Sequence, residues 1–254
     1  MKICRFAVNN EIKNGVVLGE RVYLYENGQK SSVYFDRNKI KFLPPVVPSK
    51  IVCVGRNYAE HAAELGNDVP KEPLLFLKAP SAVVTDGESI LLPHQSRQVE
   101  YEGELAVVIG RKCKNLSSVD NLAEYIFGYT ILNDVTARDL QRIDVQFTRA
   151  KSFDTFCPIA SFVETDLNIS DICLTTKVNG IVRQQGRTSQ MVFPVEFLVR
   201  YISQQMTLNE GDIIATGTPS GVSKLQNGDI CEIEIEGIGT LLNSVMEVLQ
   251  PNKA

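Results

Sequence analysis

Several absences narrow this sequence before any motif is considered. No apolar run approaches the ~20 residues that a membrane-crossing helix needs, so no membrane partner is expected. The opening MKICRFAVNNEIKNG puts Glu11 and polar side chains where a leader peptide would carry its apolar core, which makes the cytoplasm the expected compartment. Lysine and arginine are scattered without a basic stripe and the formal net charge is −4, so no nucleic-acid partner is expected. Cys4, Cys53, Cys113, Cys157, Cys173 and Cys231 form no C-x-x-C pair and sit mostly among apolar neighbours. They read as reduced core thiols rather than a zinc or redox motif. Histidine is limited to His61 and His94, and nothing marks His94, which follows Pro93 in a loop-like stretch, as a ligand.

What is present is ordinary globular usage: 44% hydrophobic and 22% charged residues over a length of 254. That length fits one large domain, or one domain with a small appendage. Residues 1–45 read as a small β segment, with alternating apolar positions separated by Asn and Gly turns. Leu43-Pro-Pro-Val-Val-Pro48 favours an extended connector, and residues 46–254 form the expected main domain. Its opening reads as a strand ending at Gly55, followed by a short helix from Tyr58 to Leu65 that Asn57 can cap. Short apolar runs bounded by Gly, Pro, Asn or Asp follow, with helical patterns only at Asn121–Phe127, Ala137–Phe147 and Pro194–Gln204. The expected class is β-rich α+β, without the regular strand–helix alternation of a doubly wound sheet.

The chemistry concentrates in Val99-Glu-Tyr-Glu-Gly-Glu-Leu. Residues two apart in a strand share a face, so Glu100, Glu102 and Glu104 would line one side. Such carboxylates repel one another unless a cation lies between them, and hard oxygen ligands suit magnesium or manganese. Asp134, in Leu-Asn-Asp-Val-Thr, is a candidate third ligand. An E-x-E pair alone is more often a solvated strand face. His61 and Glu64 lie three apart on the short helix, where the carboxylate can orient the imidazole for proton transfer, although a surface helix with an incidental histidine has the same spacing. Lys151 can offset charge on an oxyanion, and Ala-Thr-Gly-Thr-Pro-Ser-Gly brings backbone donors and the Thr218 hydroxyl towards a small carboxylate. Two other readings remain at this level: a non-catalytic module using the acids for structural calcium, and a zinc hydrolase with His61 and Glu64 as ligands.

Taken in order, KIVCVGRNYAEHAAELG, FLKAPSAVV, ILLP, VEYEGELAVVIG, LNDVTARDLQ, AKSFDTFCP, VNGIVRQQGRTSQMVF and LNEGDIIATGTPSGV closely resemble the fumarylacetoacetate hydrolase family. The resemblance is nearest to its acylpyruvate hydrolase, oxaloacetate decarboxylase-like and hydroxyheptadienedioate isomerase branch. It implies a mixed β-sandwich roll with short peripheral helices, in a homodimer. It also implies Glu102, Glu104 and Asp134 as ligands of Mg²⁺ or Mn²⁺, with Ca²⁺ as a third oxygen-seeking ion. His61 and Glu64 become the acid–base dyad, Lys151 the lysine near the metal, and Arg56, Asn57, Gln141 and Thr218 the substrate contacts. The reaction expected first is cleavage of a carbon–carbon bond in an acylpyruvate, such as acetylpyruvate or fumarylpyruvate, through an enolate. Decarboxylation or tautomerisation of oxaloacetate and isomerisation of a hydroxyheptadienedioate are the alternatives at the same site.

Overall fold

The structure is a computed structural model, and it describes residues 1–248. The chain opens with β1 (Lys2–Val8), β2 (Glu11–Leu18), β3 (Arg21–Glu26), β4 (Gln29–Asp36) and β5 (Lys41–Leu43). Asn9–Asn10 and Asn27–Gly28 turn two of these hairpins at positive φ, the conformation that two-residue hairpin loops require. The proline-rich connector carries no regular structure. Then come β6 (Ile51–Gly55), α1 (Ala59–Glu64), β7 (Leu74–Lys78), β8 (Val83–Thr85), β9 (Ile90–Leu92), β10 (Val99–Glu100) and β11 (Gly103–Ile109). The middle of the chain supplies β12 (Ile126–Asn133), β13 (Thr136–Ala137), α2 (Arg138–Ile143), α3 (Thr148–Lys151), β14 (Cys157–Ile159) and β15 (Phe162–Glu164). The remainder is β16 (Cys173–Val178), β17 (Ile181–Arg187), α4 (Val195–Gln205), β18 (Ile213–Ala215), β19 (Ile230–Ile235) and β20 (Gly239–Glu247).

Ten of these strands lie in the order β4-β3-β2-β1-β15-β12-β11-β18-β6-β7 across the main sheet. A second sheet runs β17-β16-β19-β20-β9. Parallel and antiparallel pairs are mixed, because β18 runs parallel to β6 while β11 is antiparallel to both β12 and β18. The result is the β-rich α+β fold expected from the sequence. The amino-terminal strands extend the main sheet through β1 and β15, pairing Ile3 with Val163 and Cys4 with Phe162. Cys4, Phe6 and Val22 belong to the same core cluster as Leu105, Ile131 and Ile214, so the amino-terminal segment buries its apolar face against the rest of the chain.

Gly103 sets the distance between the two sheets at the site. A Cβ there would meet the Thr176 hydroxyl oxygen at 2.4 Å and Ile233 at 3.2 Å. The glycine between the two glutamates is therefore a point where the second sheet comes close, while its neighbours face away from it.

Three local expectations need correction. Asn121–Phe127 is a single 3-10 turn over Leu122–Glu124, with the Asn121 side chain accepting from the Ala123 amide, and Ile126 already belongs to β12. Ladder pairing with β11 at seven positions outweighs a weak helical pattern. Ala137–Phe147 is helical only over Arg138–Ile143, because Asp144 turns extended, and the separate short helix α3 starts at Thr148, past the expected end. Asn57 does not cap α1; the N-cap is Tyr58, and no side chain caps it. By contrast α4 forms as its apolar spacing requires, burying Val195, Leu198, Val199 and Ile202 on one face. All six cysteines are unpaired, and five are buried. Among the described residues no helix is long and apolar enough to cross a membrane.

Candidate active site

The strand directions bring one end of β6, β11, β12 and β18 to the same edge of the main sheet. The residues at or just past those ends face one cavity of about 390 Å³, within the range of small-molecule sites. Gly103 pairs with Asn133, so Glu102 and Asp134 are neighbours, and the Asp134 amide donates to the Glu102 carbonyl at 2.9 Å. Glu102, Glu104 and Asp134 present ligand oxygens that all lie within 4.8 Å of one another, and each residue is at most 5% exposed. The even alternation from Glu100 is interrupted between β10 and β11, and Glu100 turns to the Arg138 guanidinium at 2.7 Å instead.

Buried carboxylates this close need counter-charge. Lys151, itself 2% exposed, donates to Glu102 at 2.8 Å and to Asp134 at 2.6 Å. Lys78 donates to the other Asp134 oxygen at 2.6 Å, and Arg138 pairs with Glu102. For Glu102, burial acts to raise the pKa, but the charges of Lys151 and Arg138 outweigh it and hold the carboxyl below its usual range. Burial pulls Lys151 down, and the charges of Asp134 and Glu102 more than reverse that, leaving its ammonium above the usual lysine value. Glu104 differs. Its carboxylate accepts from the Gly217 amide at 2.7 Å and has no cationic partner among the described residues. Burial, then Asp134 and Glu102, push its pKa well above the ordinary glutamate value. Gly217 serves there because its φ is +98° and a Cβ would meet Asn57 at 2.7 Å.

These residues fit a divalent cation. Three buried carboxylates converge, one of them uncompensated, and oxygen-only donors are what Mg²⁺, Mn²⁺ and Ca²⁺ take. Among the described residues neither His61 nor Glu64 joins a cluster of potential metal ligands, so the zinc arrangement drawn from their spacing is not the one that forms.

His61 is 5% exposed on α1, and its Nδ1 lies 3.2 Å from Glu64. The Gly221 amide donates to the second Glu64 oxygen at 3.0 Å, which ties the helix to the Thr-Gly-Thr-Pro-Ser-Gly loop. Both dyad residues line the cavity, so the imidazole is oriented for proton transfer beside the acidic cluster. Arg56 lines it too, at a positive φ of 58° that a non-glycine residue rarely adopts. Gln141 lines the cavity, its carbonyl oxygen accepts from Arg138 at 2.7 Å, and its NH₂ group has no hydrogen-bond partner among the described residues. Thr218 is also on the wall, but its hydroxyl donates to the Gly103 carbonyl at 2.8 Å and accepts from Gln184 at 2.8 Å. Its proton is thus committed to the scaffold. Asn57 corrects the expectation of a substrate contact. It is fully buried, donates to the carbonyls of Phe193 and Thr216, and accepts from the Phe193 amide. All its side-chain groups brace loops, and it does not line the cavity.

Sequence reasoning missed Lys78, Arg138, Arg142 and Gln184. Lys78 ends the apolar strand Leu-Leu-Phe-Leu-Lys, and a lysine on the same face as Leu74 and Phe76 was a readable signal. Arg138 stands four residues after Asp134 and carried none, because Glu100 and Glu102 reach it only through the β10–β13 pairing.

The profile of the family described as "Fumarylacetoacetate (FAA) hydrolase C-terminal" matches residues 50–246. The chain is 42% identical to oxaloacetate tautomerase YisK of Bacillus subtilis, over 86% of this chain and 77% of that protein. It superposes with a TM-score of 0.91 and 41% identity on 5-carboxymethyl-2-hydroxymuconate delta-isomerase from Mycobacterium smegmatis, covering 98% of this chain and 100% of the other. For 2-hydroxyhepta-2,4-diene-1,7-dioate isomerase from Mycobacterium marinum the TM-score is 0.89 and the identity 40%, over 97% and 98%.

Proposed function

This chain belongs to the fumarylacetoacetate hydrolase family, and from that premise we propose that it catalyses keto–enol chemistry on small 2-oxo dicarboxylic acids, with oxaloacetate tautomerisation as the leading reaction. The acylpyruvate hydrolysis expected first from the sequence gives way to what stood there as the alternative, because the relatives named above are a tautomerase and two isomerases. The observation that carries the proposal is the proton-transfer dyad of His61 and Glu64 in the same cavity as the Lys151 ammonium.

A cation such as Mg²⁺, Mn²⁺ or Ca²⁺ held by Glu102, Glu104 and Asp134 would supply Lewis acidity towards the adjacent carboxylate and keto oxygens of a 2-oxo acid. The protein's own groups do the rest. In the keto-to-enol direction His61, backed by Glu64, takes the proton from the carbon beside the keto group while the keto oxygen takes one up from water. In the reverse direction the oxygen gives its proton to water as His61 returns one to the carbon. Lys151 donates to the oxygen that gains negative charge, and the Gln141 NH₂ group, unpartnered among the described residues, is a second donor available there. Arg56 and Arg142 line the cavity, and among the described residues neither has a carboxylate partner. They are suited to the second carboxylate of a dicarboxylic acid. Isomerisation of a hydroxydienedioate needs the same proton transfer, and acylpyruvate hydrolysis would ask the dyad to activate water instead.

Purified protein with Mg²⁺ or Mn²⁺ should be offered enol-oxaloacetate, a 2-hydroxyhepta-2,4-diene-1,7-dioate, acetylpyruvate and fumarylpyruvate. Enol absorbance and pyruvate release are the readouts. A site whose cationic groups would be left unpaired by acetylpyruvate should favour a dicarboxylate by roughly 100-fold or more in kcat/KM. Faster cleavage of acetylpyruvate, or of fumarylpyruvate, which is itself a dicarboxylate, than conversion of enol-oxaloacetate and the hydroxydienedioate would refute the proposal. The homodimer implied by the resemblance is proposed on that ground alone. Light scattering should give twice the 28.2 kDa chain mass, and a monomer would reject it.

A further inference from the structure

Lys78 is a buried charged group of the cluster that the chemistry above does not use. Lys78 is 1% exposed, and it is absent from the cavity wall that Leu74 and Phe76 of the same strand help to form. Its ammonium donates to Asp134 Oδ1 at 2.6 Å and to the Val135 carbonyl at 3.0 Å. Lys151 engages the other oxygen of Asp134 from the cavity side. Asp134 is thus held between two lysines, only one of which can meet a substrate.

We infer that Lys78 is a positioning residue and a fixed counter-charge, which orients Asp134 from behind and tempers the affinity of the acidic triad for its cation. The charge count supports this. Four buried carboxylates, Glu100, Glu102, Glu104 and Asp134, face three buried cations, Lys78, Arg138 and Lys151. With all four acids ionised, as they would be around a cation, and all three cations in place, the protein groups alone sum to one net negative charge. A dication makes it net positive, the sign that favours an anionic 2-oxo acid. Without Lys78 the cluster would be one unit more negative in a low-dielectric interior, where unit charges interact several-fold more strongly than in water. The cation would then bind more tightly, while an anion would be attracted less. Lys78 trades cation affinity for anion affinity without touching either ligand.

This inference rests on the reading that the triad holds a divalent cation, and the experiment separates the two. Calorimetric Mn²⁺ binding and melting curves with and without Mn²⁺ are measured for the wild type, Lys78→Met and Lys78→Gln. The metal-free variants should melt lower than the wild type, because Asp134 loses its partner. Their Mn²⁺ affinity should rise by roughly tenfold, so that Mn²⁺ raises their melting temperature more than it raises that of the wild type. Oxalate, a small dianion, should bind the Mn²⁺-loaded variants more weakly than the loaded wild type. Variants that fold only when Mn²⁺ is present would support the inference. Equal or weaker Mn²⁺ binding in both folded variants would overturn it, as would failure to fold at any Mn²⁺ concentration. No Mn²⁺ binding to the wild type would remove the cation reading itself, and the inference with it.

Discussion

Two ion pairs in this molecule have nearly the same length and opposite meaning. Lys39 and Asp36 meet at 2.7 Å at the outer end of the amino-terminal sheet, with side chains 74% and 46% exposed. Lys151 and Asp134 meet at 2.6 Å in the acidic cluster, at 2% and 1%. The first pair exchanges hydration for a contact of little worth. The second has lost its hydration altogether, so each member depends on the other, and the cluster persists only because every charge but that of Glu104 is answered. A chain does not need such a cluster to fold: the amino-terminal strands reach their place in the sheet through backbone pairing and the burial of Phe6 and Val22. The cost concentrated at one edge of the sheet therefore marks that edge as the candidate site of chemistry.

That contrast can be broken by mutation, and the largest effect should fall on turnover. Glu64→Gln leaves His61 without its carboxylate, and kcat on the best dicarboxylate should fall by ~10²–10⁴-fold with the fold intact by circular dichroism. Unchanged kcat would remove the dyad from the reaction. Next in size, Lys151→Ala in metal-free protein strips counter-charge from Glu102 and Asp134 together. Urea unfolding should show a loss of about 3–5 kcal/mol, much of which added Mn²⁺ restores.

A smaller effect follows from Glu104, whose pKa is raised by burial and by Asp134 and Glu102. A folded-state pKa above the unfolded value favours the protonated form, so this contribution is fully present below the ordinary glutamate range. It is lost as pH rises through the raised value. Melting temperature in the presence of EDTA should thus decline with rising pH across that interval, and Glu104→Gln should flatten the decline. An equally steep decline in Glu104→Gln would assign it to another group. Smallest of all, Lys39→Ala should leave the melting temperature without resolvable change, and a clear drop would erase the contrast drawn above.

The sequence made the acids readable because Glu102 and Glu104 flank a single glycine, and Asp134 closes an apolar run. Their period-two spacing was visible without knowing which strands pair. The cations were harder. Lys151 stood out as a lysine between apolar segments and was set beside the metal only by the resemblance, while Lys78 and Arg138 become members of the site only through contacts 56 and 36 residues away along the chain. Local propensity misread Asn121–Phe127 for the same reason: Ile126 and Phe127 are strand residues because β11 lies beside them. Asn57 and Thr218 were placed near the substrate by motif, yet their side-chain hydrogen bonds are spent on Phe193, Thr216, Gly103 and Gln184. Whether a polar group is free cannot be read from its neighbours in sequence.

The account turns on a dication seated among three buried carboxylates. Crystals grown or soaked with Mn²⁺ and measured at the manganese absorption edge should give one strong anomalous peak within coordination distance, roughly 2.0–2.3 Å, of oxygens from Glu102, Glu104 and Asp134. A map at saturating Mn²⁺ with no peak there, or with the peak held by other residues, would contradict it.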